Sequence, residues 1–301
     1  MLCGWRTLSE IPLTGVPTLA TDGGKPDVVI QLASGHSSVS KRSGRFVFQH
    51  TTECSFIRIE DVADFEVRDG WQIRVWPAAE VTQKDIEIFL FGPAWATLCH
   101  QRGMLPLHAS AIVTGTGITA FVGRSGAGKS TIAAVLNSLG YELISDDILP
   151  VSFDKNSIPG AWPYLRRLKL HRGPIAQLAF TPTEVVSETR DKHRYFVHPM
   201  HTGDAKWRRL ERVYVLGNER TDSQAPIEQI IGADAVRALV DQTYHFEFIR
   251  GTRLFGEHLA FCTQLASKIL IYRLRRSPIN TGDKLRSIIC AHFEDGLERE
   301  A

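Results

Sequence analysis

Eight consecutive residues, Gly123-Arg124-Ser125-Gly126-Ala127-Gly128-Lys129-Ser130, constrain this chain more than any other stretch. They match G-x-x-x-x-G-K-[ST], a pattern in which glycines let the backbone curl until successive amide N–H groups face one point. ITAFVG (118–123) before them reads as a strand. A helix is expected from about Gly128 to Leu139, stopping at Gly140. A helix N-terminus behind such a loop is an anion site. In this setting Lys129 reaches β- and γ-phosphate oxygens, and the Ser130 hydroxyl can ligate Mg²⁺. Residues 123–131, with Thr131 as the last, are the expected ATP contacts.

The loop alone does not separate switches from transferases, so its company matters. YELISDD (141–147) reads as the next strand, and it brings Asp146 and Asp147 to its end, 17 and 18 residues beyond Lys129. Strand, loop, helix and strand form a βαβ outline, which returns both carboxylates to the phosphate-binding edge of the sheet. One carboxylate there would help hold Mg²⁺, and a second would accept a proton from an incoming hydroxyl. His108 precedes Gly123 by 15 residues, in LPLHASAIV (105–113), read as the neighbouring strand.

The remaining texture sets the fold class as α/β, with a small β-rich N-terminal domain over 1–85 and a P-loop nucleotide-binding domain with C-terminal helices over 86–301. RFVFQ (45–49), SFIRIE (55–60), DFEVRD (64–69) and WQIRVWP (71–77) alternate at period two, with Asp69-Gly70 as a turn. Residues 85–101 read as one amphipathic helix. VYVLG (213–217) and IEQIIG (227–232) read as strands, and 233–242, 254–275 and 283–293 as closing helices. Residues 152–212 show no clear period but are basic, with 11 Lys or Arg against 5 Asp or Glu from Tyr164 to Arg212. A formal net charge of +2 argues against a generic nucleic-acid binder. No apolar run suits a membrane span, and no signal peptide is read at the start. Five scattered cysteines, at 3, 54, 99, 262 and 290, fit a reducing, cytoplasmic setting.

With these motifs in hand, the sequence resembles the HPr kinase/phosphorylase superfamily, and in particular the HPr-kinase-like serine kinases. The resemblance is carried by residues 105–149: a histidine, a loop of the form G-x-S-G-x-G-K-S, and an Asp-Asp pair one helix later. It implies Asp146 as the base facing a substrate hydroxyl, Asp147 with Ser130 at Mg²⁺, and His108 beside the acceptor, with Lys129 as the third catalytic residue. Bifunctional members carry an acidic residue where this chain has Thr131. They also carry a Glu-x-Arg-Gly signature, which has no counterpart over 150–215; both departures tell against the phosphorolysis half-reaction and against HPr itself as the substrate. A wider likeness, through FLFGPAWATLCHQRGMLPLHASAI (89–112), WPYLRRLKL (162–170) and residues 191–217, is to the kinases of lasso-peptide biosynthesis. Those phosphorylate the C-terminal serine of a precursor peptide.

The expected partner is therefore a peptide or protein with an acceptor serine. Arg166, Arg167 and Lys192 are expected to meet its carboxylate or the moving phosphoryl group. Two alternatives remain open on the residues alone. One is an ATP-binding regulatory module without transfer, and the other is a kinase of a small hydroxyl-bearing metabolite. The apolar C-terminal helices would allow a homo-oligomer.

Overall fold

The computed structural model describes residues 1–16, 23–37, 44–50, 54–115, 117–171, 175–176, 178, 182–189, 192–197, 204–220, 227–276, 287 and 289–293. Backbone contacts group the chain into two compact units: Met1–Pro106 with Thr243–Cys262, and Leu107–Gln242 with Thr263–Ala301.

The first unit holds a six-stranded sheet. Its order is β1 (Thr7–Ser9), β2 (Val28–Leu32), β6 (Gln72–Pro77), β5 (Ala63–Arg68), β4 (Cys54–Ile59) and β3 (Phe46–His50). The meander β3–β6 is antiparallel and coincides with the four alternating runs to within one residue at each end. Ile57, Phe65, Val67, Ile73 and Val75 are fully buried. At the turn between β5 and β6, Asp69 and Gly70 both have positive φ (50° and 68°), the pairing that suits a right-twisted hairpin. The expected helix over 85–101 is interrupted. α1 (Gln83–Phe89) is capped by the Thr82 side chain, a π-type turn follows at Leu90–Ala94, and α2 is Trp95–Gln101. Gly92 leaves helical geometry and Pro93 has no N–H to continue the ladder, which accounts for the break.

Between the units' sequences, the strand expected over 105–113 is divided at His108 into β7 (Leu105–Leu107) and β8 (Ala109–Thr114). The second unit then runs β9 (Gly117–Val122), α3 (Lys129–Ser138), β10 (Leu143–Ser145), β11 (Leu149–Phe153) and β12 (Pro159–Ala161). Next come β13 (Leu168–His171), β14 (Pro182–Thr189), β15 (Lys192–Val197), β16 (Arg208–Arg220), β17 (Ile227–Gln229) and α4 (Gly232–Asp241). α5 (Leu254–Ala266) precedes β18 (Leu270–Arg276). The main sheet runs β10-β8-β9-β16-β12-β11, and β18 pairs in parallel with β16.

Two expectations are corrected here. The segment 152–212 is strand-rich, and β13, β15 and β14 form a small sheet of their own. The helix expected over 254–275 ends at Ala266, because 270–276 is a strand paired with β16 and β17. A short apolar run such as Ile269-Leu270-Ile271 has no period of its own, so sheet pairing decides it.

One feature of this topology positions the site. β8 is antiparallel to both β9 and β10 and lies between them. The C-terminal ends of β9 and β10 and the N-terminal end of β8 therefore share one edge. α3 packs against this sheet and against β13. Its Ile132, Ala133 and Leu136 share a buried core with Ile112 of β8, Phe121 of β9, and Leu168 and Leu170 of β13.

Candidate active site

The loop after β9 is shaped by its glycines. Gly123 has φ 150°, and a Cβ placed on it would sit 3.0 Å from the Leu216 carbonyl oxygen of β16, so the turn passes too close to the sheet for any side chain. Gly128 is the N-cap of α3 in left-handed geometry (φ 88°), with no side-chain cap. The first-turn amides of a helix have no acceptor within it. Those of α3 thus begin where Ser125, Gly126, Gly128, Lys129, Ser130 and Thr131 line a cavity of about 150 Å³. His108, Asp147 and Lys169 line the same cavity.

The other three expected loop contacts do not line it. Ala127 is buried in the core under the loop, where its N–H bonds the Arg124 carbonyl. Arg124 is exposed, and Gly123 serves the turn itself. Lys129 is buried, and its Nζ donates to the Gly123 carbonyl at 2.8 Å and the Arg124 carbonyl at 3.4 Å.

The two aspartates differ sharply in setting. β10 ends in a tight turn closed by a hydrogen bond from Ser145 Oγ to the Ile148 carbonyl. That turn places Asp147 at φ 83°, a conformation few non-glycine residues adopt. Asp146 points inward and is 5% exposed. Its Oδ1 accepts from Ser110 Oγ of β8, and its Oδ2 from the Lys169 backbone N–H at 2.8 Å. Burial raises its pKa, against the hydrogen bonds from Ser110 and the Lys169 backbone that favour the charged form. Asp147 keeps 38% of its side chain exposed. Its Oδ1 is 3.5 Å from His108 Nδ1, and its Oδ2 is 3.6 Å from Lys169 Nζ. Burial alone would raise its pKa, but Lys169, then His108 and Lys129, outweigh that and lower it.

His108 is held by its own backbone, whose N–H donates to the Gln242 carbonyl at 2.8 Å. Its Nδ1 lies 3.1 Å from the Asp147 carbonyl oxygen. Burial pushes its pKa down to about 4, so the ring is neutral near pH 7, and it orients Asp147 through both contacts.

The expectation placed the base at Asp146 and the metal carboxylate at Asp147. Asp147 is the more exposed of the two and lines the cavity, whereas Asp146 is buried with both carboxylate oxygens accepting hydrogen bonds. The basic residues are also rearranged. Arg166 donates to the Asp204 carbonyl, beside the Arg208 pairs with Glu142 and Asp204, and neither it nor Arg167 lines the cavity. Lys192 opens β15, and its side chain lies outside the described residues. The residue that does enter is Lys169. The pattern Leu168-Lys169-Leu170 carried the signal: at strand period two, two core leucines leave the lysine between them facing the other way. Ser110 was hidden in LHASA, and only the pairing of β8 with β10 brings it to Asp146.

Neither a family model nor a curated protein matches the chain. Among solved structures, it aligns with the HPr(Ser) kinase/phosphatase from Coxiella burnetii over 65% of this chain and 99% of that one, at 12% identity and a TM-score of 0.35. That likeness is too slight to carry a function across. The mixed α/β architecture and the cavity at its sheet edge stand on their own.

Proposed function

We propose that the chain is an ATP-dependent serine kinase of HPr-kinase-like type, moving the γ-phosphoryl group to a hydroxyl of a peptide or protein. One observation carries this reading: an uncapped helix N-terminus and Lys129 share a cavity with a partly exposed carboxylate, Asp147. A nucleotide switch needs the first two features and one carboxylate at its metal, but it does not need a second carboxylate beside the phosphates, which the pair Asp146 and Asp147 provides.

The donor set suits the metal. Ser130 lies close enough to Asp146 to favour its charged form, so a hydroxyl and a carboxylate, both hard oxygen donors, stand near one another. Mg²⁺ bound with phosphates asks for one or two protein oxygens and keeps waters for the rest. Among the described residues no group of three His, Cys, Asp or Glu is gathered for a metal, so Ser130 and Asp146 would hold it jointly with the nucleotide. When bound, Mg-ATP supplies the phosphoryl group and neutralises part of its charge.

The chain's own residues supply the rest. The α3 amides and Lys129 orient the phosphates. Asp147 takes the proton from the acceptor hydroxyl at its exposed carboxylate, while His108 fixes that carboxylate from behind. Relative to the sequence expectation, Asp146 and Asp147 exchange roles. The finer substrate assignment, a precursor peptide's C-terminal serine, is supported by the sequence resemblance to lasso-peptide kinases. No helix among the described residues is long and apolar enough to cross a membrane.

Mass spectrometry after incubation with Mg-ATP tests the reading. The panel holds peptides with a C-terminal serine, peptides with an internal serine, and free serine, with the Lys129→Ala variant as control. Phosphorylated serine peptides with the wild type alone are expected. ATP binding without transfer to any of them would favour the regulatory module, and transfer to free serine alone the metabolite kinase.

A further inference from the structure

Lys169 is tied to both aspartates. Its backbone N–H holds buried Asp146 at 2.8 Å, and its ammonium pairs with exposed Asp147 at 3.6 Å. Leu168 (0% exposed) and Leu170 (1%) anchor β13 in the core that α3 shares, so the backbone at 169 is fixed while the side chain stands in the cavity. An ammonium carries three donors, and the one ion pair it makes among the described residues is longer than a hydrogen bond. The other cation of the cavity, Lys129, belongs to α3 and is turned back onto the loop carbonyls.

We propose that Lys169 reads the terminal phosphoryl group of the nucleotide, exchanging its ion pair with Asp147 for that group and so freeing the carboxylate only when a triphosphate is present. This rests on the nucleotide-site reading above and adds a selectivity to it. The argument is one of position and charge. Asp147 and Lys169 line the same cavity as the first turn of α3, so phosphates seated there would bring their terminal group within reach of a cation paired with Asp147. A terminal phosphoryl carries nearly two negative charges, against one on Asp147, and it offers three acceptor oxygens to an under-used donor. The end of ADP carries a similar charge, so reach separates the two: the exchange is favourable where a γ-phosphoryl extends to Lys169 and is not driven where the nucleotide ends one phosphate short. It also keeps the base occupied in the empty cavity, so nucleotide arrival and base release become one event.

Calorimetry of Mg-ATP and Mg-ADP binding to the full chain tests this without any acceptor. Lys169→Gln should weaken ATP by about 10-fold or more and ADP by less than about 2-fold, and Lys169→Arg should restore most of the ATP preference. Asp147→Asn removes the competing partner. It should tighten ATP binding in the wild-type background and not in the Lys169→Gln background, a coupling that a merely structural lysine would not produce. Equal losses for ATP and ADP, no loss for either, or the same Asp147→Asn effect in both backgrounds would overturn the proposal and leave the nucleotide site standing. If the wild type binds neither nucleotide, both readings fall together.

Discussion

Replacing the two aspartates one at a time separates their roles, because their settings predict opposite signatures. Among the described residues the Asp147 carboxylate has contacts of 3.5 and 3.6 Å, and it is partly exposed. Asp147→Asn should therefore leave stability within about 0.5 kcal/mol of wild type. It removes the basicity that a serine hydroxyl needs, so kcat should fall by roughly 10²–10⁴-fold. Asp146→Asn acts on the fold instead. Its carboxylate accepts from Ser110 Oγ and the Lys169 N–H, one on each oxygen. Asparagine keeps an acceptor for the Lys169 N–H but offers Ser110 Oγ an amide N–H in place of a carboxylate oxygen, so the charge-assisted bond from that hydroxyl is lost. Losing one hydrogen bond to a charged group costs about 1.5–3 kcal/mol, and a unit of this size loses roughly 2–4 °C in melting temperature per kcal/mol. A fall on the order of 3–12 °C is expected, with a raised Mg²⁺ requirement for nucleotide binding. Thermal melts, Mg²⁺-dependent ATP titrations and single-turnover transfer on both variants supply the comparison. Near-wild-type transfer by Asp147→Asn, beside an inactive Asp146→Asn of unchanged stability and Mg²⁺ dependence, would refute the exchange of roles.

Other expectations follow from single contacts. Gly123→Ala places a Cβ 3.0 Å from the Leu216 carbonyl in a backbone conformation side chains avoid. It should cost at least about 1 kcal/mol and abolish ATP binding, and retained calorimetric binding would count against the loop's close approach. Arg166→Gln should leave ATP affinity and peptide KM within about 2-fold, because its guanidinium is bonded to the Asp204 carbonyl; a selective rise in peptide KM would return it to the acceptor side. His100 is 5% exposed, and its pKa is pushed down to about 3 by burial first and the neighbouring His258 next. The unfolded chain takes up that proton near pH 6.5 and the folded chain only near 3. The stabilisation is thus complete above 6.5 and is lost as pH falls toward 3, at roughly 1.4 kcal/mol per pH unit. Urea midpoints at pH 7 and 5 should diverge less for His100→Gln than for wild type, and parallel behaviour would show that His100 is not the group that titrates.

What the sequence determined by itself is what depends on near neighbours along the chain. The phosphate-type loop is set by glycines within eight residues, α3 by its apolar spacing behind that loop, and β3–β6 by alternation with Asp69-Gly70 between two of the strands. Each of these is a local backbone preference, legible in the order of residues. The break at Gly92-Pro93 was equally local and was open to the same reading. Tertiary structure decided the features that depend on distant partners. Asp146 and Asp147 are adjacent and chemically identical. They part company because Ser110, 36 residues away, and the Lys169 backbone, 23 residues away, take Asp146 inward. The Ser145 closure then turns Asp147 out at positive φ. Lys169 enters the cavity, and Arg166 does not, because β13 packs its leucines on α3 while Asp204 holds the arginine elsewhere. Residues 243–262 group with the first unit, and 270–276 becomes a strand, for the same reason. A buried apolar or charged segment takes the form its partners leave open, and those partners are not its neighbours in sequence.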